Sequence, residues 1–100
     1  MRQIVLSKTA AKKLEKLLEY LTKHFSKNVA QKFLGKLDAR LEVVKSHPES
    51  FSKSQLKKGL HKCVISKQTS VFYKFDSSKI YVVTIFDTRQ NPKKLKSQVK

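Results

Sequence analysis

The spacing of apolar residues changes at His47 and Pro48, and the change separates two helical runs from a part of the chain that is rich in strands. Before His47 and Pro48, apolar side chains recur every three or four positions in two runs, the pattern of helices with one apolar face. Ser7 is placed to cap the first helix, and Ser26–Asn28 interrupts the pattern. The runs are Ala10, Leu14, Leu17, Leu18, Leu21, Phe25 and then Ala30, Phe33, Leu34, Leu37, Leu41, Val44. They predict an αα-hairpin.

Alternating and β-branched residues predict strands in the rest of the chain. Gln3–Leu6 precedes the first helix, and His61–Ile65, Val71–Phe75 and Ile80–Phe86 follow an irregular basic loop at Pro48–Gly59. Short connections favour an antiparallel meander for the last three strands, with the apolar Ile80–Phe86 as a central strand covered on both faces. The sequence therefore predicts an α+β fold in the order β-α-α-β-β-β, with the helical hairpin packed on one face of a small, mostly antiparallel sheet.

The helical spacing also predicts which side chains reach the sheet. The packing residues are expected to be Leu14, Leu17, Leu21, Phe33, Leu37 and Leu41. We expect Gly35, which weakens the second helix, to mark a close approach to the first helix.

The 100 residues are expected to form one domain over residues 1–100, with residues 93–100 as a short helix or a disordered basic tail.

The charge balance points to polyanionic partners. Lys and Arg number 23 against 7 Asp and Glu, for a formal net charge of +16, which favours RNA, DNA or an acidic protein. The chain is too short for a nucleotide-binding fold of ordinary size, and it has no apolar run long enough to span a membrane. One cysteine, Cys63, and no signal peptide favour the cytoplasm.

Two stretches hold basic residues and no acid. They are Ser50–Phe75 and Thr88–Lys100, and a basic surface of this kind can bind phosphates with release of counterions. The lysines of the helices are mixed with Glu and are expected to be a solvated face. The candidate nucleic-acid-binding residues are Lys53, Lys57, Lys58, Lys67, Lys74, Lys93 and Lys94.

Several segments, in this order, resemble the RelE/ParE superfamily of type II toxins. They are VLSKTAAKKLEKLLEYL (Val5–Leu21), HPESF (His47–Phe51), KGLHKCVI (Lys58–Ile65), VFYKF (Val71–Phe75) and VVTIFDTRQNPKKL (Val82–Leu95). The resemblance implies a toxin neutralised by an acidic antitoxin, of the kind found in plasmid stabilization modules. Some members cleave mRNA on the ribosome and others inhibit DNA gyrase.

The resemblance also implies site residues. Arg89 falls on the basic position after the last strand of the ribosome-dependent nucleases, and Lys62 falls near a strand lysine. The arginine of the third strand and the C-terminal tyrosine have no counterpart here, where Ser70 and Leu95 are the nearest residues. The function predicted is a toxin that cleaves mRNA on the ribosome. The alternatives are a gyrase inhibitor without chemistry of its own and a basic RNA-binding or structural protein.

Metal-independent RNA cleavage would use a base, an acid and a cation at one phosphate. Arg89 is the candidate for stabilising the phosphorane, and we expect it within reach of Lys62, with Lys67 nearby. His61 is the candidate acid or base, although its simpler interpretation is an exposed residue at a strand start. Arg89 could instead pair with Asp87. No metal site and no cofactor are expected.

Overall fold

The fold was analysed in a computed structural model that describes residues 2–53 and 59–89. The elements are β1 (Gln3–Leu6), α1 (Lys8–His24), α2 (Lys27–Ser46), a 3₁₀ turn (Pro48–Ser50), β2 (Ser52–Lys53), β3 (His61–Val64), β4 (Thr69–Phe75) and β5 (Lys79–Asp87). The sheet order is β1-β5-β4-β3-β2, and all neighbours are antiparallel except β1 and β5. The predicted α+β class and element order are confirmed.

A serine caps the start of each helix, at Ser7 as the sequence predicts and also at Ser26, where the sequence predicts only a break between the helices. The Ser7 Oγ accepts a hydrogen bond from the Ala10 N–H at 2.9 Å, and the Ser26 Oγ accepts one from the Val29 N–H at 3.1 Å. Each bond satisfies an amide that the first helical turn leaves unpaired. Because α1 ends at His24 and α2 begins at Lys27, the chain reverses over two residues, and Phe25 lies at the exposed tip.

The hairpin covers one face of the sheet through its two apolar stripes. Leu17, Leu21, Phe33 and Leu37 are buried, and Leu14 and Leu41 are half-buried against the same core, which confirms the predicted packing. The sheet contributes Cys63, Val71, Tyr73, Ile80, Val82 and Ile85 to this core. Gly35 does not pack closely: it is exposed, and a Cβ added there would have no heavy atom within 4 Å. The expectation of a close approach at Gly35 is wrong.

A second, smaller apolar cluster lies on the sheet face away from the helices. Leu60, Phe72 and Phe86 are buried there, with Val83 packed against them. Val83 is the extra residue at a bulge, because Phe72 pairs with Thr84 while the next residue of β4 pairs with Val82. As predicted, β5 is covered on both faces, but the expectation that it is the central strand is wrong, because β4 holds the middle position.

The basic segment after α2 is more ordered than the sequence suggests. Pro48 begins a 3₁₀ turn, and Ser52 and Lys53 pair with Lys62 and His61 as an added edge strand. The predicted irregular loop is therefore wrong for residues 48–53. The predicted final segment, residues 93–100, lies outside the described residues.

Candidate functional site

Arg89 is held by a buried carboxylate at the end of β5. The Arg89 Nε donates to Asp87 Oδ1 at 2.9 Å, and its Nη2 donates to Oδ2 at 2.6 Å. The Arg89 backbone N–H and the Thr69 hydroxyl also donate to this carboxylate, at 2.9 and 2.6 Å. The Asp87 side chain is 1% exposed and that of Arg89 is 24% exposed, so the pair runs from the core to the surface.

These hydrogen bonds set the charge states of both groups. Burial alone would raise the pKa of Asp87, but the donors on Arg89 and Thr69 outweigh it and lower the pKa below its usual range. The hydrogen bond to Asp87 raises the pKa of Arg89, against the smaller effect of burial. The pairing of Arg89 with Asp87 that the sequence left open is therefore present, and Nη1 is the guanidinium nitrogen that this pair does not use.

Arg89 also borders a small cavity at the tip of the helical hairpin. The cavity holds about 250 Å³, and Lys32 and Lys36 of α2 line it together with Ser66 and Gln68 of the β3–β4 turn. Its floor is apolar, formed by Leu21, Val29 and Phe33. The Arg89 guanidinium carbon lies 6.0 Å from the centre of the Phe25 ring, a cation–π distance.

His61 lies away from the Arg89 end of the sheet, level with the middle of β5, and is buried. Its Nδ1 is 3.0 Å from the Phe51 carbonyl oxygen, and its ring stacks on Tyr73 with centroids 5.5 Å apart. The Phe75 ring lies 5.3 Å from the same imidazole. The simpler interpretation of His61 as an exposed residue is wrong, because the 3₁₀ turn and β2 fold over it, a tertiary contact that no local pattern announces.

Lys62 is exposed, and it lies far from Arg89. It pairs with Phe72, which pairs with Thr84, so two strand spacings, about 10 Å, separate Lys62 from β5. Thr84 is a further three residues, about 10 Å, before Asp87. The expected contact between Lys62 and Arg89 is therefore wrong. Because β3 runs antiparallel to β4, the start of β3 lies level with the middle of β5 and not with its end.

The candidate lysines divide among several surfaces. Lys53 is exposed on the edge strand β2, Lys67 is exposed in the β3–β4 turn, and Lys74 is exposed on β4. Lys74 shares a sheet face with Lys62, because Lys62 pairs with Phe72 and Lys74 follows Phe72 by two residues on β4. Their role in nucleic-acid binding stays a prediction. The remaining candidates, Lys57, Lys58, Lys93 and Lys94, lie outside the described residues.

Sequence reasoning missed the neighbours that Arg89 gains from the helices. Lys32 and Lys36 were expected to belong to a solvated face, and Phe25 to the apolar stripe of the first helix. The spacing of four between the two lysines does put them on one side of α2, which was a usable signal. That this side meets the end of β5 depends on how the hairpin crosses the sheet.

Other reactive side chains of the core have structural roles. Cys63 is buried, and burial raises the pKa of its thiol, which makes it inert as a nucleophile. Burial also raises the pKa of Tyr73, whose hydroxyl donates to the Pro48 carbonyl at 2.6 Å. Across residues 2–53 and 59–89, no helix is long and apolar enough to cross a membrane, and no three His, Cys, Asp or Glu side chains are grouped as metal ligands.

Several solved toxin structures share this fold at low sequence identity. The chromosomal ParDE toxin–antitoxin system of P. aeruginosa aligns with a TM-score of 0.66 and 14% identity, over 87% of this chain and 96% of that chain. The E. coli DinJ–YafQ complex gives 0.62 and 12%, over 92% and 99% of the two chains. A copper-bound mutant toxin from Helicobacter pylori gives 0.59 and 20%, over 91% and 99%.

The sequence itself identifies the family. No curated protein matches the chain. The family model described as the ParE toxin of the type II toxin–antitoxin system parDE does match, over residues 4–92. The match confirms the superfamily that the sequence segments resemble and covers most of the chain. The protein therefore belongs to the ParE toxin family of type II toxin–antitoxin systems.

Proposed function

We propose that this toxin inhibits its target by binding, as a ParE-type inhibitor of DNA gyrase, and that it does not cleave RNA. The observation that carries the proposal is the separation of the candidate catalytic groups within the described residues. Arg89 lies beyond the end of β5, whereas His61 and Lys62 lie at the start of β3 on opposite faces of the sheet.

General acid–base cleavage needs the acid and the base within hydrogen-bond reach of one phosphate, about 2.6–3.2 Å. The His61 ring is packed on Tyr73 under the 3₁₀ turn, and its Nδ1 already faces the Phe51 carbonyl. Arg89 gives two of its nitrogens to Asp87. A phosphate bound at Arg89 would have neither His61 nor Lys62 beside it, which favours binding over catalysis.

Ribosome-associated mRNA cleavage is the second candidate, and one observation favours it. Lys62 and Lys74 are exposed on the same sheet face, on neighbouring strands, with a diagonal spacing of about 7–8 Å between their Cα atoms. Two cations at this spacing can contact successive parts of one RNA strand. The sheet face would then bind mRNA.

An acidic antitoxin is the proposed partner in both cases. The similar structures include the P. aeruginosa ParDE toxin–antitoxin system and the E. coli DinJ–YafQ complex, which supports a protein partner for this fold. A cavity of about 560 Å³ between α2 and β1 is lined by Ile4, Leu14, Leu34 and Leu41, and its rim mixes Asp38 and Glu42 with Lys45. An apolar segment seated there would remain bound when salt screens the charge attraction, so binding should weaken with salt only in part.

Two assays run side by side test the proposed target. We expect purified toxin to inhibit gyrase supercoiling, and primer extension on mRNA from induced cells to show no new cleavage ends. The double variant Lys62→Ala/Lys74→Ala should inhibit gyrase as the wild type does. New mRNA ends that vanish in this variant, with supercoiling unaffected by the toxin, would instead establish RNA cleavage on the sheet face.

A further inference from the structure

The tip of the helical hairpin concentrates positive charge from three parts of the chain. Lys32 and Lys36 of α2 and Arg89 at the end of β5 line the cavity, and Lys67 is exposed in the β3–β4 turn between two further lining residues, Ser66 and Gln68. We call the four basic residues the cationic tip. The described residues that line its cavity include no acid, and the Asp87 carboxylate that contacts Arg89 is paired with that guanidinium. The tip therefore keeps a net positive charge.

An exposed aromatic ring stands beside this charge. Phe25 is 56% exposed, the largest exposed fraction among the large apolar side chains of the described residues. Its ring meets the Tyr20 ring edge-on, with centroids 6.3 Å apart, and the Arg89 guanidinium lies over it. The ring is thus held in orientation from two sides while much of its surface faces solvent.

We propose that the cationic tip binds a single-stranded segment of nucleic acid. Phosphates contact Lys32, Lys36 and the Nη1 of Arg89, and an unpaired base stacks on Phe25. Lysines act as point charges on the backbone, and an exposed aromatic beside them is the combination that single-strand-binding surfaces use. The hydroxyl and amide of Ser66 and Gln68 supply further hydrogen bonds at the cavity wall.

Two features favour a single strand over a duplex or an acidic protein segment. A base stacked on Phe25 must be unpaired, since duplex bases stack on each other. An acidic protein segment would pair with the charges, but its carboxylates have no surface to stack on Phe25, whereas every nucleotide carries both a phosphate and a stacking base. The inference does not depend on the gyrase proposal, because it concerns oligonucleotides alone, whereas supercoiling and primer extension report on the target.

The test measures fluorescence anisotropy of labelled oligo(dT) and oligo(rU) against toxin over a range of KCl concentrations. Lys32→Ala/Lys36→Ala should weaken binding and make the slope of log K against log[salt] less negative by about 1.4, or about 0.7 for each lost phosphate contact. Both lysines are exposed on a helix, so the fold should be retained, which circular dichroism checks. Binding of either oligonucleotide supports the proposal, and their affinity ratio shows whether DNA or RNA is preferred.

A matched control separates position from total charge. Lys12→Ala/Lys16→Ala removes the same two charges at the same spacing from the exposed side of α1 and should leave the slope unchanged. Phe25→Ala should weaken binding roughly 5- to 150-fold without changing the slope, because it removes stacking and no charge.

Three results would overturn the proposal. The first is an equal change of slope in the two double variants, which would mean that only total charge matters. The second is a preference for duplex of equal length that Phe25→Ala leaves intact. The third is wild-type oligonucleotide binding by Lys32→Ala/Lys36→Ala together with a loss of antitoxin binding, which would make the tip a protein interface.

Discussion

Buried polar groups find their hydrogen-bond partners differently in two regions of the sheet, the cationic tip at the end of β5 and the region around His61 at the start of β3. At the tip, a buried carboxylate is satisfied by Arg89 and Thr69, and the guanidinium carries charge out to the surface. In the second region, His61 and Tyr73 are satisfied by backbone carbonyls and sealed by neighbouring rings. The tip is therefore available to a binding partner, whereas the region around His61 stabilises the fold. The sequence predicted that Arg89 and His61 belong to a single site.

The largest expected effect is in the region around His61. Tyr73→Ala should lower the free energy of unfolding by about 3–5 kcal/mol, because it removes a fully buried ring that touches Phe51, His61 and Phe75. Tyr73→Phe, which loses just the bond to Pro48, should cost about 0.5–1.5 kcal/mol. Urea unfolding measures both. A Tyr73→Ala loss below that of Tyr73→Phe would contradict a structural role for this region.

The next effect is at the tip. Asp87→Asn should cost roughly 1.5–3 kcal/mol, the usual value for hydrogen bonds to charged groups, because the amide cannot match both nitrogens of Arg89. Arg89→Ala is a poor probe of function for the same reason, since it leaves the buried Asp87 carboxylate without its charge partner. An Asp87→Asn variant as stable as the wild type would show that the pair does not support the fold.

Acid should weaken the tip through the same pair. The pKa of Asp87 is lower in the folded protein than its ordinary value of about 3.9, so its ionised form stabilises the fold above that pH. This stabilisation is lost as pH falls through the folded pKa. As pH falls below about 4, the thermal unfolding temperature should therefore decrease more steeply in the wild type than in Asp87→Asn. Parallel curves for the two proteins would assign the acid loss to other groups.

What the sequence predicted well is local. Ser7 caps the first helix through a contact three residues away, and the apolar stripes follow from the period of the helix itself. The contacts that the sequence did not predict depend on how the strands pair with one another. Whether Lys62 reaches Arg89 is decided by the direction of β3 and by pairing across β4, and the sequence signals for strands carry neither. The burial of His61 required a turn from Phe51 to close over it.

Gly35 lowers the helix propensity of α2, and a substitution there should stabilise the protein. Gly35→Ala should raise the free energy of unfolding by about 1 kcal/mol, because the position is exposed, helical and open to an added methyl group. Urea unfolding checks it. A stabilised variant with unchanged oligonucleotide affinity would show that the rigidity of α2 does not limit the tip. A destabilised variant would mean that Gly35 meets a neighbour after all.

The smallest expected effect is at Lys79, the first residue of β5, which follows the turn at Asp76. The turn itself is organised by Asp76, whose Oδ1 accepts the backbone N–H groups of Ser78 and Lys79 at 2.8 Å each, and the side chain of Lys79 is exposed. Lys79→Ala should therefore change the free energy of unfolding by less than about 0.5 kcal/mol. It should also leave the salt slope of oligonucleotide binding unchanged, because this lysine lies at the far end of β5 from the tip. Equal slopes for Lys79→Ala and the wild type, beside a shallower slope for Lys32→Ala/Lys36→Ala, would locate binding at one end. A slope that becomes less negative in Lys79→Ala as well would show that oligonucleotide binding depends on the total positive charge. The two regions would then differ in their contribution to stability alone.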